Sequence, residues 1–196
     1  MKLSSLALPA AATLVLAVAL ASCTKTSTTT SSDSTATAAM TPDQKVARGK
    51  YLVSVLGCND CHTPGGLYGA PDMNRMLSGS ELGWTGPWGT SYPANLTPDS
   101  TTGIGNYTED DIVTAIRTGH KKDGAPILPP MPWPIYANLT DEDAYAVAAF
   151  LKTLPPVVHA APKILPAGAK APAALVFPPP PAWDAPRTAP ADSTKG

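Results

Sequence analysis

Apolar and polar positions divide the chain into four stretches. Leu6 to Leu20 is a short run rich in Ala and Leu behind a positive Lys2, the pattern of an export signal over residues 1–22. It is too short to span a bilayer comfortably. Thr24 to Ala39 holds almost no apolar side chain larger than alanine, so residues 23–40 predict a solvated linker without a core. As a flexible coil such a linker would average ~20–24 Å end to end. Helical periodicity begins at Thr41-Pro42-Asp43-Gln44: Thr as N-cap, Pro at the first position, Gln three residues after the cap. Val46, Tyr51, Val53 and Leu56 follow on this first helix. A second start is Thr108-Glu109-Asp110-Asp111, with Ile112, Val113 and Ile116 apolar and Gly119 placed as a C-terminal cap. A third is Thr140-Asp141-Glu142-Asp143. It carries Ala144, Val147, Ala148, Leu151 and Leu154 at helical spacing and stops at Pro155-Pro156. Acidic first turns suit both later helices, since the N-terminal end of a helix dipole is positive. The expectation is an all-α domain over residues 41–157, three helices joined by long Gly/Pro-rich loops.

The fourth stretch, residues 158–196, is rich in Ala and Pro and includes Pro178-Pro179-Pro180-Pro181. This composition favours extended polyproline II with no independent core, so the domain is expected to be flanked by disordered segments. Leu175, Val176, Phe177 and Trp183 are unusual in a free tail. Either they cover the surface of the domain or they form a docking segment for a partner.

Composition adds little until the cysteines are considered. The net charge is −1, and residues 41–157 hold eight basic and twelve acidic side chains. No basic block appears, which argues against a nucleic-acid partner. Two of the three cysteines lie in Cys58-Asn59-Asp60-Cys61-His62, which spells C-x-x-C-H, the attachment signature of c-type haem. Two thiols on one turn can both reach the haem vinyl groups and form thioethers. The next residue then lies beneath the iron, where an imidazole supplies an axial ligand. A C-x-x-C pair can also be a redox couple, half a zinc site or a disulfide. A redox couple would sit in a βαβ pattern, which the periodicity does not show. A zinc site would want two further ligands, and no cysteine follows Cys61. The cysteine count therefore predicts one covalent haem c. A large flat apolar porphyrin would also supply the centre of an otherwise thin core.

The third cysteine ends Leu20-Ala21-Ser22-Cys23, which resembles the lipobox of bacterial lipoproteins. That resemblance implies cleavage before Cys23, a lipid on its thiol and attachment to a membrane. Thr24 is not the aspartate that commonly retains lipoproteins at the inner membrane, so the outer membrane is the expected location.

An iron bound by His62 needs a sixth ligand or an open position. The candidates are Met40, Met73, Met76 and Met131, with His120 and His159 as imidazole alternatives. Met131 is favoured because it sits in Pro129-Pro130-Met131-Pro132-Trp133-Pro134, where fixed proline torsions limit the swing of its sulfur. His120 and His159 read as surface residues. Trp84, Trp88, Tyr92 and Trp133 could line the pocket or bond a propionate, and ordinary packing is the simpler role for each. Arg117 could neutralise a propionate or lie exposed near a helix end.

Several segments together resemble a known family. Arg48-Gly49-Lys50-Tyr51-Leu52-Val53 before Cys58-Asn59-Asp60-Cys61-His62-Thr63 is similar to class I cytochromes c. Asn95-Leu96-Thr97-Pro98-Asp99 with Thr102-Gly103-Ile104-Gly105, Ala115-Ile116-Arg117-Thr118-Gly119, Met131-Pro132-Trp133 and Leu154-Pro155-Pro156-Val157 narrow the resemblance. They are similar to the cytochrome c subunits of membrane-bound alcohol and gluconate dehydrogenases. The resemblance implies a cytochrome c-like helical haem domain in which Cys58 and Cys61 hold the haem, His62 is proximal and Met131 distal. It implies an electron carrier rather than an enzyme, facing the periplasm. Its partners would be a redox protein donor and acceptor: a dehydrogenase, an oxidase or another cytochrome. Two other functions compete. A haem peroxidase or small-molecule reductase would need a labile distal ligand, and a redox or gas sensor would need an effector.

Overall fold

The computed structural model of the chain describes residues 39–178. The export signal, Cys23, nearly all of the linker and the tail beyond Pro178, Trp183 included, lie outside the described residues. Helix α1 spans Pro42–Val55, α2 Cys58–His62, α3 Glu109–Thr118, α4 Trp133–Tyr136 and α5 Asp141–Thr153. Three of these begin where threonine caps stand in the sequence. Thr41 and Gln44 bond reciprocally, as do Thr108 and Asp111, and the Asp143 amide donates to Thr140 Oγ1 at 3.1 Å. Gly119 ends α3 at φ 71°, a left-handed conformation in which a Cβ would also run into the Trp133 ring.

The core forms where α1 crosses α5. Leu52 and Val53 of α1 meet Val147, Phe150 and Leu151 of α5, with Ile112 and Val113 of α3 beside them. The crossing is close because Gly49 has no side chain: a Cβ there would fall onto the Ala146 carbonyl and within 2.8 Å of Phe150 Cβ. Arg48 Nε donates to Asp143 Oδ1 at 2.8 Å and joins the two helices at their exposed edge.

The domain is not all-α, and the described part of its C-terminal flank, expected to be disordered, contributes a strand to a sheet. Strands β1 (Gly83–Gly86) and β2 (Gly89–Ser91) form an antiparallel hairpin, with Trp84 opposite Ser91 and Thr85 opposite Thr90. Strand β3 (Ala174–Val176) adds in parallel on the far side of β1, with Trp84 opposite Leu175, giving the order β2-β1-β3. The described part of the tail is held by this hairpin through backbone pairing and through the half-buried ring of Phe177. Phe177 lies 5.9 Å from the Trp84 ring and 5.7 Å from Trp88, centroid to centroid. Of the tail's apolar residues, Phe177 covers the domain surface, whereas the side chains of Leu175 and Val176 stay exposed although their backbone pairs with β1.

Candidate functional site

Gly57 at φ 70° turns the chain out of α1 into the single turn α2, which carries Cys58, Cys61 and His62. The turn is held from below. Thr63 Oγ1 donates to Asn59 Oδ1 at 2.9 Å and accepts from the Leu77 amide at 2.9 Å, while the Gly79 amide donates to the His62 carbonyl at 2.8 Å. Leu77 is fully buried and adopts φ 58°, uncommon for a branched side chain, to fill the core behind the turn.

His62 is buried, and its Nδ1 lies 2.7 Å from the Ala94 carbonyl. A carbonyl only accepts, so Nδ1 carries the proton and Nε2 keeps its lone pair. Burial pushes the His62 pKa down, opposed in part by the bond to Ala94, and the ring is therefore neutral at physiological pH. A neutral imidazole of fixed tautomer is the form that ligates iron, and the backbone carbonyl behind it is a usual outer-shell partner. The two thiols are not joined to each other. Burial pushes Cys58 up to about 11 and raises Cys61 as well, so both sulfurs are protonated and uncharged beside apolar surroundings. Two neutral thiols and a lone-pair nitrogen on one turn fit a covalently held haem.

Met131 is half-buried and anchored on both sides. Ser91 Oγ of β2 donates to the Pro129 carbonyl at 2.5 Å. Tyr136 Oη of α4 donates to the Leu56 carbonyl at 2.8 Å, two residues before Cys58. Burial is the main reason that the Tyr136 phenol is pushed up to about 12. The other candidates have different partners. Met40 and Met76 pack against the hydrophobic core, and Met73 is exposed on a short turn. His120 is exposed and bonds the Thr118 carbonyl through Nδ1. His159 has both ring nitrogens engaged, Nδ1 with the Ser78 carbonyl at 2.7 Å and Nε2 with Glu81 Oε1 at 3.0 Å. Arg117 spans from α3 to the start of α5, donating to Asp141 Oδ1 and the Leu139 carbonyl. Trp133 packs on Gly119, and Trp84 and Trp88 pack with Phe177.

Two supporting groups escape sequence reasoning: the Ala94 carbonyl and Ser91. Neither has chemistry that a motif would flag. The adjoining Asn95-Leu96-Thr97-Pro98-Asp99 segment is the available signal. Asn95 is buried and donates through Nδ2 to the Val157 carbonyl at 2.8 Å, while its Oδ1 accepts from the Thr97 amide and hydroxyl. This network fixes the loop that presents Ala94 to His62.

The sequence profile of the family described as Cytochrome c matches residues 46–155. The chain is 43% identical over 105 residues to the cytochrome c subunit of alcohol dehydrogenase (quinone) from Gluconobacter oxydans, covering 54% of this chain and 20% of that one. It is 41% identical over 128 residues to the gluconate 2-dehydrogenase cytochrome c subunit of Pantoea cypripedii, covering 63% of this chain and 27% of that one. A diheme cytochrome c-type protein of Cereibacter sphaeroides is 34% identical over 116 residues, covering 57% of this chain and 37% of that one. The match thus spans between a fifth and somewhat over a third of these relatives' length. The C-x-x-C-H turn with its carbonyl-held histidine and the profile match over most of the folded domain agree, and the chain belongs to the cytochrome c family.

Proposed function

We propose that this protein is a single-haem electron carrier, tethered to the outer membrane through lipid on Cys23 and facing the periplasm. It would exchange single electrons with envelope redox proteins, a dehydrogenase among them. The haem supplies the one-electron iron couple when bound. The residues of the chain do the rest. Cys58 and Cys61 would hold the group, His62 would offer its Nε2 lone pair to the iron, and Met131 would offer its sulfur from a loop pinned at Pro129 and Tyr136. The observation that carries this reading is the His62–Ala94 bond on the C-x-x-C-H turn, which fixes the tautomer before any ligand arrives. Ligands that do not move between oxidation states suit a carrier, and a thioether raises the potential while closing the site to substrates. Relatives named as cytochrome c subunits of alcohol, gluconate and fructose dehydrogenases support a dehydrogenase as donor.

The test is a potentiometric titration of the haem-loaded mature chain beside its Met131→Ala variant. A single one-electron wave is expected, moved to lower potential in the variant. Two waves would contradict a single haem. An unmoved wave in Met131→Ala would remove Met131 as the ligand, and peroxide turnover by the unmodified chain would favour the enzyme reading.

A further inference from the structure

The segment after α5 runs back along the loop that supports both candidate iron ligands. Asn95 Nδ2 reaches the carbonyls of Val157 and His159 at 2.8 and 3.3 Å, and the His159 amide donates to Thr102 Oγ1 at 3.0 Å. The His159 ring then bonds the Ser78 carbonyl and Glu81. Farther on, Thr90 and Leu165 exchange two backbone bonds of 2.9 and 3.0 Å. Gly89, at φ 100°, lies so close to this strand that a Cβ would strike the Leu165 carbonyl. Finally the Gly83 amide donates to Ala173, β3 pairs with β1, and the Phe177 amide donates to the Thr85 carbonyl at 2.7 Å. The segment from Val157 to Phe177 thus grips residues 78–95 at both ends and in the middle. Between those grips lie Ser91, whose hydroxyl holds the Met131 loop at Pro129, and Ala94, whose carbonyl holds His62.

We propose that residues 157–177 are a positioning strap for the haem site, holding the 78–95 loop so that Ser91 keeps Met131 in reach of the iron and Ala94 keeps His62 in register. The strap reaches well beyond the part of the chain that matches the family profile, which ends at residue 155. A sulfur ligand offered from a loop is in equilibrium with an open form, whose population depends on how firmly the loop is held. Releasing the strap frees the backbone groups of Thr90 and removes the aromatic cover from Trp84 and Trp88. Ser91 is next in the chain to Thr90, so the hydroxyl that retains Pro129 is loosened with it.

This inference rests on the reading of Met131 as the sixth ligand, and Met131→Ala serves as its reference. The test uses the full haem-loaded mature chain carrying Leu165→Pro and Phe177→Ala. The first change removes the amide that bonds Thr90, and the second removes the ring on Trp84 and Trp88. Carbon monoxide binding to the ferrous form is expected to quicken by about tenfold, as the open population rises from roughly 1% to roughly 10%. Amide exchange is expected to accelerate across residues 90–96 and not in α1. Arg48→Ala, which cuts an ion pair at the far α1–α5 edge, is the control: it is expected to lower thermal stability without altering carbon monoxide binding. If the double variant loses its helical circular dichroism, Phe177→Ala alone is measured against the same criteria. Unchanged carbon monoxide binding and unchanged exchange at residues 90–96 in a folded strap variant would overturn the proposal. If Met131→Ala itself leaves the spectrum and carbon monoxide binding unaltered, the ligand reading fails, and the strap as positioner of that ligand fails with it.

Discussion

Replacing Gly49 by alanine sets two effects of opposite sign against each other. In an exposed helix interior the change would stabilise by about 1 kcal/mol, because alanine restricts the unfolded chain and glycine does not. At the α1–α5 crossing the added Cβ would fall on the Ala146 carbonyl oxygen, 2.5 Å from the carbonyl carbon and 2.8 Å from Phe150 Cβ. Two of these three atoms belong to backbone, so no rotamer change relieves the overlap. The helices must separate by about 1 Å to restore ordinary contact, and a gap of that size forfeits a quarter to a half of each dispersion contact it opens. Leu52, Val53, Val147 and Leu151 all lie beside the crossing. Overpacking of this kind costs up to about 3 kcal/mol. The net expectation is a loss of about 2 kcal/mol, or roughly 6–10 °C in midpoint for a domain of this size. Thermal unfolding of the haem-loaded chain, followed by far-ultraviolet circular dichroism, reads this directly. A Gly49→Ala variant as stable as the parent, or more so, would refute the close crossing as the organising contact of the core.

Two further predictions concern hydrogen-bonded polar side chains. Asn95→Ala removes the short bond to the Val157 carbonyl and the acceptor of the Thr97 amide and hydroxyl, leaving the Thr97–Val157 bonds in place, and is expected to cost about 1–2 kcal/mol in urea unfolding; a loss below a few tenths would show that the network is replaceable by water. Acid should weaken the fold through specific carboxylates. The Thr102 hydroxyl holds Asp99 below the usual carboxylate range, and Arg48 does the same for Asp143. A depressed native pKa contributes stability that is fully present above the unfolded value of about 4 and lost as pH falls through the native value. The unfolding midpoint should therefore be insensitive to these groups between pH 7 and about 5 and drop below about 4. The drop should shrink in Asp99→Asn with Asp143→Asn, and an unchanged drop would assign the acid sensitivity elsewhere.

The three longer helices, α1, α3 and α5, were legible because their signals are local, whereas the single turns α2 and α4 were not expected as helices. Thr41, Thr108 and Thr140 each stand before a turn whose third residue bonds back or is bonded, and Gly119 closes α3 as its position suggests. The C-x-x-C-H turn was legible for the same reason: its chemistry lies within five residues. The sheet was not. Gly83 to Ser91 is short, broken by glycine and proline, and lacks a period of two. Strand β3 is three residues long, and its partner stands some ninety residues earlier, so no window on the tail contains the reason for its order. The Ala-Pro composition says nothing about pairing with a hairpin elsewhere in the chain. The same distinction holds at the site. Cys58, Cys61, His62 and Met131 are marked by residue type, whereas the Ala94 carbonyl that fixes His62 comes from backbone 32 positions away.

Reduced and oxidised spectra of the haem-loaded mature protein, recorded with and without carbon monoxide, test the central claim most directly. A covalent c-type spectrum that carbon monoxide alters only slowly, through a minor open form, is the predicted result if His62 and Met131 close the iron as proposed. Ready carbon monoxide binding by the unmodified chain, or no covalent haem at all, would contradict it.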